Sequence, residues 1–287
     1  MTMWTPPPRR RLHLAIAFPS SIVDTEATLQ LKTLKVGQIA RAAAIHRVDE
    51  IIVYGDDYDR DKVKTSLILD ILKYIITPPY LRRKYIPLKK TLRYAGTLPP
   101  LRVPSHVKDA NIKDDEYREA MVIVKNGRLY ADVGIKKLIP IKGKVSKGFH
   151  VVKIYKKGRD FIAVPASKHL IPYYWGFIVK TSNSLSSIVN RDWDLKIATS
   201  RLGDPILKVH KFLVDKYYNS KSILIAFGSP HEGLWEIARK EGWSLEEKFD
   251  LIINFIPDQG VETVRTEEAL HAVLEYFTLI ETSQHLV

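Results

Sequence analysis

Two short segments in the C-terminal half of the sequence decide the fold: FGSPHEG at 227–233 and NFIPDQGVETVRTEEA at 254–269. Each follows an apolar run, at 223–227 and 251–253, whose length is typical of a strand buried on both faces of a parallel sheet. The pattern predicts strand, turn, helix, strand, turn, helix. This alternation is typical of an α/β domain.

Both turns fall where α/β sheets bind ligands. Ligands of open α/β sheets lie at the carboxyl ends of the strands, and these turns follow those ends directly. Gly228, Gly233 and Gly260 would let the backbone approach a ligand closely. The alternative is that both segments are ordinary α/β turns that bind no ligand, because glycine and proline are frequent in any turn of this kind.

A third segment, TSRLGD at 199–204, follows a short predicted strand at 196–198. It predicts a third turn, similar in position and composition to the other two. Arg201 could hold a carboxylate or orient a loop there. The alternative is a simple pair with a neighbouring acid such as Asp204.

The N-terminal part predicts further α/β elements: a strand at 12–18, a helix at 26–46, a strand at 49–54 and a helix at 61–76. Gly37 either lies inside the first helix, at a cost of about 1 kcal/mol against alanine, or marks its true start. Arg41 is either a surface arginine or a cation directed at a phosphate or substrate.

The middle of the chain, 88–168, predicts a small all-β unit. Asn126-Gly127 between two apolar runs is a strong hairpin signal, because both turn positions need positive φ. Further strands are expected at 135–141, 149–155 and 161–164. About five short strands suit a small barrel such as an OB-fold.

Positive charge is concentrated in this β segment. The chain of 287 residues has a formal net charge of +13, which favours a polyanionic partner, most often nucleic acid. Phe149, His150 and Tyr155 interleave with the cations, as on surfaces that bind single-stranded RNA. The alternative is a solvated hairpin with its aromatic residues in the barrel core. The RNA-binding candidates are Lys136, Lys137, Lys142, Lys144, Lys147, Lys153, Lys156, Lys157 and Arg159.

Composition excludes several other classes. There is no cysteine, so disulfides and thiolate metal sites are excluded, and the nine histidines lack zinc-helix spacing. We therefore expect no metal. No apolar run reaches the ~18 residues of a membrane span, and no N-terminal apolar signal region is present. We expect a cytoplasmic protein.

Taken in order, the segments 35–44, 199–203, 227–233 and 254–269 resemble the SPOUT methyltransferases. The resemblance is closer to the archaeal and eukaryotic subfamily that carries an inserted OB-like domain. It extends over nearly the whole chain, and its most specific part is the final block with TVRTEEA. It implies a Rossmann-like α/β domain with a C-terminal trefoil knot, formed by 1–87 and 169–287, with a basic OB-like insert at 88–168. It also implies a homodimer with the active site near the subunit interface.

The resemblance implies S-adenosylmethionine as cofactor. Gly228 and Glu232 would flank its adenosine and methionine parts, and Arg201 would line the same pocket. Arg41 stands where related enzymes place an arginine near the substrate phosphate or the reacting group. The adenine would be held largely by the backbone of the last turn, at Asn254, Phe255, Ile256, Gly260, Thr263 and Val264.

The expected activity is methylation of rRNA or tRNA, at a base such as uridine N3 or at a ribose 2′-hydroxyl. Lys35 stands where many relatives have asparagine, which favours a base. His231, Glu232 and Glu262 are open candidates for a general base. One alternative is a protein arginine methyltransferase, which the basic insert disfavours. The other is a non-catalytic RNA-binding protein with a degenerate cofactor site, which the intact glycines disfavour.

Overall fold

The structure is a computed structural model that describes residues 4–56, 61–107 and 111–283. The chain divides into two units. The larger comprises 10–73, 90–99 and the chain from 177 onward, and the smaller comprises 4–9, 74–89 and 100–176. The first and last residues of the predicted domains, 1–3 and 284–287, lie outside the described residues.

The described residues form strands in both units. In chain order they are β1 (His13–Pro19), β2 (Glu50–Tyr54), β3 (Glu116–Lys125), β4 (Arg128–Asp132), β5 (Ile139–Pro140), β6 (Gly148–Lys157), β7 (Asp160–Ala166), β8 (Ile178–Ser182), β9 (Leu195–Pro205), β10 (Ser222–Ala226) and β11 (Leu251–Asn254).

The α-helices of the described residues lie mainly in the larger unit. They are α1 (Leu29–Ile45), α2 (Asp61–Ile76), α3 (Pro79–Tyr85), α4 (Leu185–Val189), α5 (Ile206–Asn219), α6 (Leu234–Lys240), α7 (Leu245–Lys248) and α8 (Thr266–Ser283).

Six parallel strands form the sheet of the larger unit, in the order β11-β9-β10-β1-β2-β8. Strands β1, β2 and β10 are almost wholly buried, as their uninterrupted apolar runs predict for strands covered on both faces. The predicted α/β fold with a parallel sheet is confirmed.

Helix α1 contains Gly37 in its interior, so the alternative that this glycine starts the helix is wrong. The helix begins after Thr28, whose hydroxyl accepts a hydrogen bond from the backbone N–H of Leu31. A Cβ at Gly37 would lie 2.7 Å from the side chain of Leu98. The glycine therefore makes room for the 90–99 segment.

An antiparallel sheet, in the order β5-β4-β3-β6-β7, forms the smaller unit. The predicted hairpin is confirmed: Asn126 and Gly127 have φ values of 50° and 72° between β3 and β4. Strand β5 is shorter than the predicted 135–141. Just after β5, Ile141 forms a parallel bridge with Ala163 of β7, so the two edge strands approach each other.

Two expectations about strand ends are wrong. The segment WGFIV at 175–179 predicts a strand that begins at Trp175. Strand β8 instead begins at Ile178, because Gly176 adopts φ 118° and interrupts the extended backbone. The predicted turn at 199–204 lies inside β9, which continues because β11 pairs with its second half after a register shift.

The bounds of the smaller unit extend beyond the predicted 88–168, and 90–99 belong to the larger unit. The hydroxyl of Thr91 donates to Asp70 of α2 at 2.7 Å, and Leu98 lies against Gly37. These contacts are between residues distant in sequence, which explains why composition alone places the boundary elsewhere.

Candidate functional site

Three segments of the larger unit meet at one edge of its sheet. Because all six strands are parallel, the ends of β9, β10 and β11 lie at the same edge, and these three strands are neighbours. The second half of β9 and the loops at 227–233 and 255–265 therefore form one candidate site. We call these three segments the site loops.

The loop after β10 is a closed turn. The backbone N–H of Ser229 donates to the carbonyl of Glu232 at 2.9 Å, and the hydroxyl of Ser229 accepts from the N–H of Glu232 at 2.8 Å. A Cβ at Gly228 would lie 3.1 Å from that same carbonyl and 3.3 Å from the Cα of Gly233. Gly228 thus lets the turn close upon itself, whereas the sequence suggested room for a ligand.

Asn254 and Arg201 connect β9 to the last loop. The Asn254 side chain donates to the carbonyl of Arg201 at 3.0 Å and accepts from the N–H of Ile256 at 3.0 Å. The Arg201 guanidinium donates to the carbonyl of Glu262 at 3.0 Å. The alternative that Arg201 pairs with Asp204 is wrong, since the Asp204 carboxylate forms its ion pair with Lys208.

Further predicted residues lie on the same loops. Glu232 forms an ion pair with Lys240 of α6. The ring of Phe255 packs against Tyr276 and Phe277 of α8, at centroid distances of 5.7 and 6.0 Å. Its backbone, rather than its side chain, is therefore available at the site. The remaining predicted residues of this loop are Gly260, Thr263 and Val264, which lie between β11 and α8.

A residue that the sequence analysis missed fixes the start of the 227–233 loop. Tyr54, the last residue of β2, is fully buried and donates its hydroxyl to the carbonyl of Phe227 at 2.7 Å. Burial raises the pKa of this phenol well above its usual value, so the hydroxyl remains a donor. The only local signal is a polar hydroxyl at the end of an apolar strand.

Lys35 has a structural partner at the start of α8. Its ammonium is buried and lies 3.0 Å from each carboxylate oxygen of Glu267, 3.0 Å from the hydroxyl of Thr25 and 3.5 Å from Glu26. The side chain therefore joins α1 to the helix that follows the last site loop. This buried ion pair gives Lys35 a structural role.

Arg41 lies away from the site loops of its own chain. Helix α1 starts near the carboxyl end of β1 and runs back, and the N–H of Asp49 beyond it bonds to Leu14 near the beginning of β1. Arg41 is twelve residues into this helix, about 18 Å from Leu29. One chain alone does not bring Arg41 together with the predicted cofactor residues.

The nine basic candidates lie in the smaller unit. Eight are exposed and Lys153 is half-buried. Lys137 and Lys153 form ion pairs with Asp160 and Asp115, at 2.5 and 2.7 Å, and the hydrogen bond that Lys153 donates to Asp115 raises the pKa of Lys153. Phe149 and Tyr155 are 45% and 38% exposed, so the alternative that places them in the barrel core is wrong.

Residues 4–56, 61–107 and 111–283 contain no cluster of three or more His, Cys, Asp or Glu side chains that could hold a metal ion. In the same ranges no helix combines the length and apolarity that crossing a bilayer requires.

Comparison with known proteins identifies the class. Residues 13–277 match the family model described as "Putative RNA methyltransferase". Because the match covers both units, this chain belongs to that RNA methyltransferase family.

Three relatives illustrate the family. The chain is 31% identical over 296 residues to the 28S rRNA (uridine-N(3))-methyltransferase of Drosophila melanogaster, covering 90% of this chain and 60% of the relative. It is 30% identical over 299 residues to the human protein of the same name, covering 91% and 76%. It is 30% identical to an uncharacterized protein of Halobacterium salinarum, covering 93% and 99%. The chain thus spans only part of the two animal relatives.

Proposed function

We propose that this protein transfers a methyl group from S-adenosylmethionine to N3 of a uridine in ribosomal RNA. The observation that carries the proposal is the similarity, at about 30% identity over some nine-tenths of the chain, to two proteins named as 28S rRNA uridine-N3 methyltransferases. The structure contributes a parallel sheet at whose carboxyl edge the second half of β9 adjoins two loops, where such sheets bind ligands.

The site loops suit this cofactor. Leu202 and Val261 are 75% and 59% exposed on two of the loops, and the Phe255 ring packs away on α8. Apolar side chains beside backbone polar groups suit an adenine ring. The residues that would hold the cofactor are Arg201, Gly228, Glu232, Asn254, Phe255, Ile256, Gly260, Thr263 and Val264.

The chemistry requires positioning and proton removal. The cofactor, when bound, supplies a sulfonium methyl group. The chain must hold uridine N3 in line with that methyl group and accept the N3 proton as the N–C bond forms and the S–C bond breaks. His231, Glu232 and Glu262 are the candidates for the proton acceptor. Arg41 would stabilise the negative charge that develops on the uracil.

We propose that the protein works as a homodimer of the SPOUT class, with a knotted C-terminal segment. Arg41 lies toward the opposite edge of the sheet from the site loops of its own chain, so a second chain must bring it to a site. Helices α1 and α8 carry exposed apolar side chains, with Leu31, Ile45 and Leu279 at 45%, 54% and 58% exposure. Sedimentation analysis tests this proposal, and an active monomer would contradict it.

The smaller unit is proposed to grip the RNA as an OB-like insert. Its five strands and the bridge between Ile141 and Ala163 support a closed five-stranded barrel. Its exposed lysines suit contacts to phosphates.

The test is to incubate the purified protein with ribosomal RNA and isotope-labelled S-adenosylmethionine, and to analyse the nucleosides by mass spectrometry. The expected product is 3-methyluridine. Label in a 2′-O-methyl nucleoside would contradict the proposed atom but retain the class. Label found only in arginine of protein would show that the substrate is a protein rather than RNA. No transfer despite cofactor binding would favour the non-catalytic alternative.

A further inference from the structure

A second site lies within the smaller unit. Four aromatic side chains, Trp4, Tyr117, Tyr173 and Trp175, line a cavity of about 380 Å³. We call it the aromatic pocket. None of these four residues is among the predicted RNA-binding residues, and two of them come from opposite ends of the unit in sequence. A pocket of this volume can take one nucleobase or a short peptide segment.

Buried contacts hold the floor of the aromatic pocket. Trp175 is 4% exposed, and its indole N–H donates to the carboxylate of Glu119 at 2.8 Å. Tyr117 meets it edge to face at 6.4 Å, and Tyr173 lies 6.0 Å away. Trp4 is 63% exposed at the rim. A fixed aromatic floor with an exposed indole beside it suits stacking of a planar ring.

Positive charge adjoins the aromatic pocket. The ammonium of Lys153 lies 5.1 Å from the centre of the Tyr117 ring and 5.4 Å from that of Tyr155. Strand β6 continues from Lys153 to the exposed Lys156 and Lys157. A nucleotide stacked in the pocket would therefore have cations within the same strand for the phosphates on its flanks.

Three carboxylates, Asp114, Asp115 and Glu116, also line the aromatic pocket. Asp115 and Glu116 form ion pairs with Lys153 and Arg118. Asp114 accepts hydrogen bonds through Oδ1 from the backbone N–H groups of Lys156 and Asp115. An ionised carboxylate has about four lone-pair sites, so Asp114 can accept more hydrogen bonds.

Guanine is the base that fits this combination. Its N1–H and N2–H₂ groups stand side by side, so a single carboxylate can accept from both. Uracil has one N–H donor between two carbonyl acceptors, which a carboxylate would repel. The aromatic pocket is thus unsuited to the uridine that is methylated.

We propose that the aromatic pocket binds an unpaired guanine of the RNA substrate, held by stacking on the aromatic rings and by hydrogen bonds to Asp114. This inference rests on the proposed RNA methyltransferase function. It adds a base-specific contact formed by residues other than those of the methyl-transfer site. The smaller unit would therefore recognise an RNA base in addition to binding phosphates.

The first test measures the affinity of the full-length protein for labelled single-stranded heptaribonucleotides by fluorescence anisotropy. The four RNAs are oligouridines with a central G, inosine, A or U. We expect the G heptamer to bind about tenfold more tightly than the U heptamer, as one stacked and hydrogen-bonded base allows. The inosine heptamer should fall in between, because it lacks the N2 amino group. Equal affinity for G and U would overturn the proposal.

Variants of the aromatic pocket show whether the preference for the G heptamer arises there. Trp4→Ala removes an exposed indole and Asp114→Asn removes the charge, and each should abolish the preference for G while leaving affinity for S-adenosylmethionine unchanged. Trp235→Ala, on α6 of the larger unit, is the matched control and should retain the preference. A preference that survives both pocket variants would place the base elsewhere. If the protein binds a proline-rich peptide and does not discriminate among the four RNAs, the ligand of the aromatic pocket is a peptide rather than RNA.

The proposed methyltransferase activity and the proposed guanine pocket can be refuted independently of each other. If rRNA is methylated but the heptamers bind equally, only the guanine pocket is wrong. If the G heptamer is preferred but no RNA is methylated, the pocket stands and the proposed activity fails.

Discussion

At the scale of single residues, Tyr54 shows how a buried hydroxyl can position a loop of the candidate site. Its hydroxyl reaches the carbonyl of Phe227, where β10 ends and the 227–233 loop begins. The N–H of Phe227 bonds to Ala17 of β1. The N–H and the carbonyl of Phe227, at the start of the loop, are thus each held by a residue of another strand.

Replacing Tyr54 by phenylalanine should loosen this loop. Tyr54→Phe leaves a buried carbonyl without its donor, which costs on the order of 1–3 kcal/mol. We expect lower stability in urea denaturation and a several-fold weaker affinity for S-adenosylmethionine by calorimetry.

Tyr218→Phe is the matched control, because it removes another phenol-to-carbonyl hydrogen bond, to Ile280 at 2.6 Å. It should lower stability without changing cofactor affinity. If both variants weaken cofactor binding equally, general destabilisation rather than loop position is the cause.

At the scale of elements, one buried ion pair joins the two helices that pack on the same side of the larger unit's core. Lys35 of α1 and Glu267 of α8 are 232 residues apart in sequence, and both side chains are nearly inaccessible. Removing one partner of a buried pair leaves an uncompensated charge, whereas removing both can be nearly neutral.

Lys35→Met should therefore destabilise the protein by about 3–5 kcal/mol. The double variant Lys35→Met/Glu267→Met should lose less than the sum of the two single variants in urea denaturation, since neither charge is then left unpaired. Additive losses would mean that the two side chains act independently, with Glu26 as the main partner of Lys35.

Glu50, the first residue of β2, makes the stability of the protein depend on pH. Glu50 is 2% exposed and lies 2.9–3.2 Å from His13, Lys180 and Arg191. Burial raises its pKa, but the hydrogen bonds from these three side chains outweigh burial and lower the pKa to about 2. Because the folded pKa is below the unfolded value of 4.5, this contribution to stability is complete above pH 4.5 and is lost as the pH falls toward about 2.

Glu50→Gln should lower stability at pH 7 by on the order of 2 kcal/mol, because hydrogen bonds to a charged group are lost. The difference from the parent protein should shrink between pH 4.5 and pH 2, as followed by urea denaturation. Glu236→Gln, at an exposed position of α6, should show no such trend. A constant deficit across this range would show that the carboxylate charge is not the cause.

At the scale of the whole molecule, the charge is unevenly distributed along the chain. Nine Lys and Arg residues and no acid lie between 136 and 159, whereas 245–287 contains nine acids and two cations. Binding to RNA through phosphates should therefore depend mainly on the smaller unit and should weaken with salt.

Reversing two exposed charges of the smaller unit tests whether RNA binding depends on this unit. Lys144→Glu/Lys147→Glu should lower RNA affinity and reduce the slope of log affinity against log salt, by about 0.7 for each lost contact to a single strand. Affinity for S-adenosylmethionine should not change. Lys211→Glu/Lys216→Glu, on the exposed face of α5, makes the same change in net charge and should have a smaller effect. Equal effects would mean that only net charge matters.

The sequence by itself determined the elements whose signals are local. Uninterrupted apolar runs predicted the buried parallel strands β1 and β10, because a strand covered on both faces needs apolar residues at every position. The run at 251–253 also predicted the strand β11, but β11 is an edge strand and is mostly half-buried, so the expectation that it is buried on both faces is wrong. Asn126-Gly127 predicted the β3–β4 hairpin through its need for positive φ. The basic run predicted an exposed cationic surface, since charged side chains remain in water.

Only the tertiary structure decided what depends on partners distant in sequence. Pairing with β11 makes 199–204 a strand, although its composition predicts a turn. The roles of Lys35 and Tyr54 follow from contacts more than 170 residues away. The aromatic pocket likewise joins Trp4 to Trp175. Local periodicity encodes which side chains are buried, but which of them meet is set by the order of strands and the packing of helices.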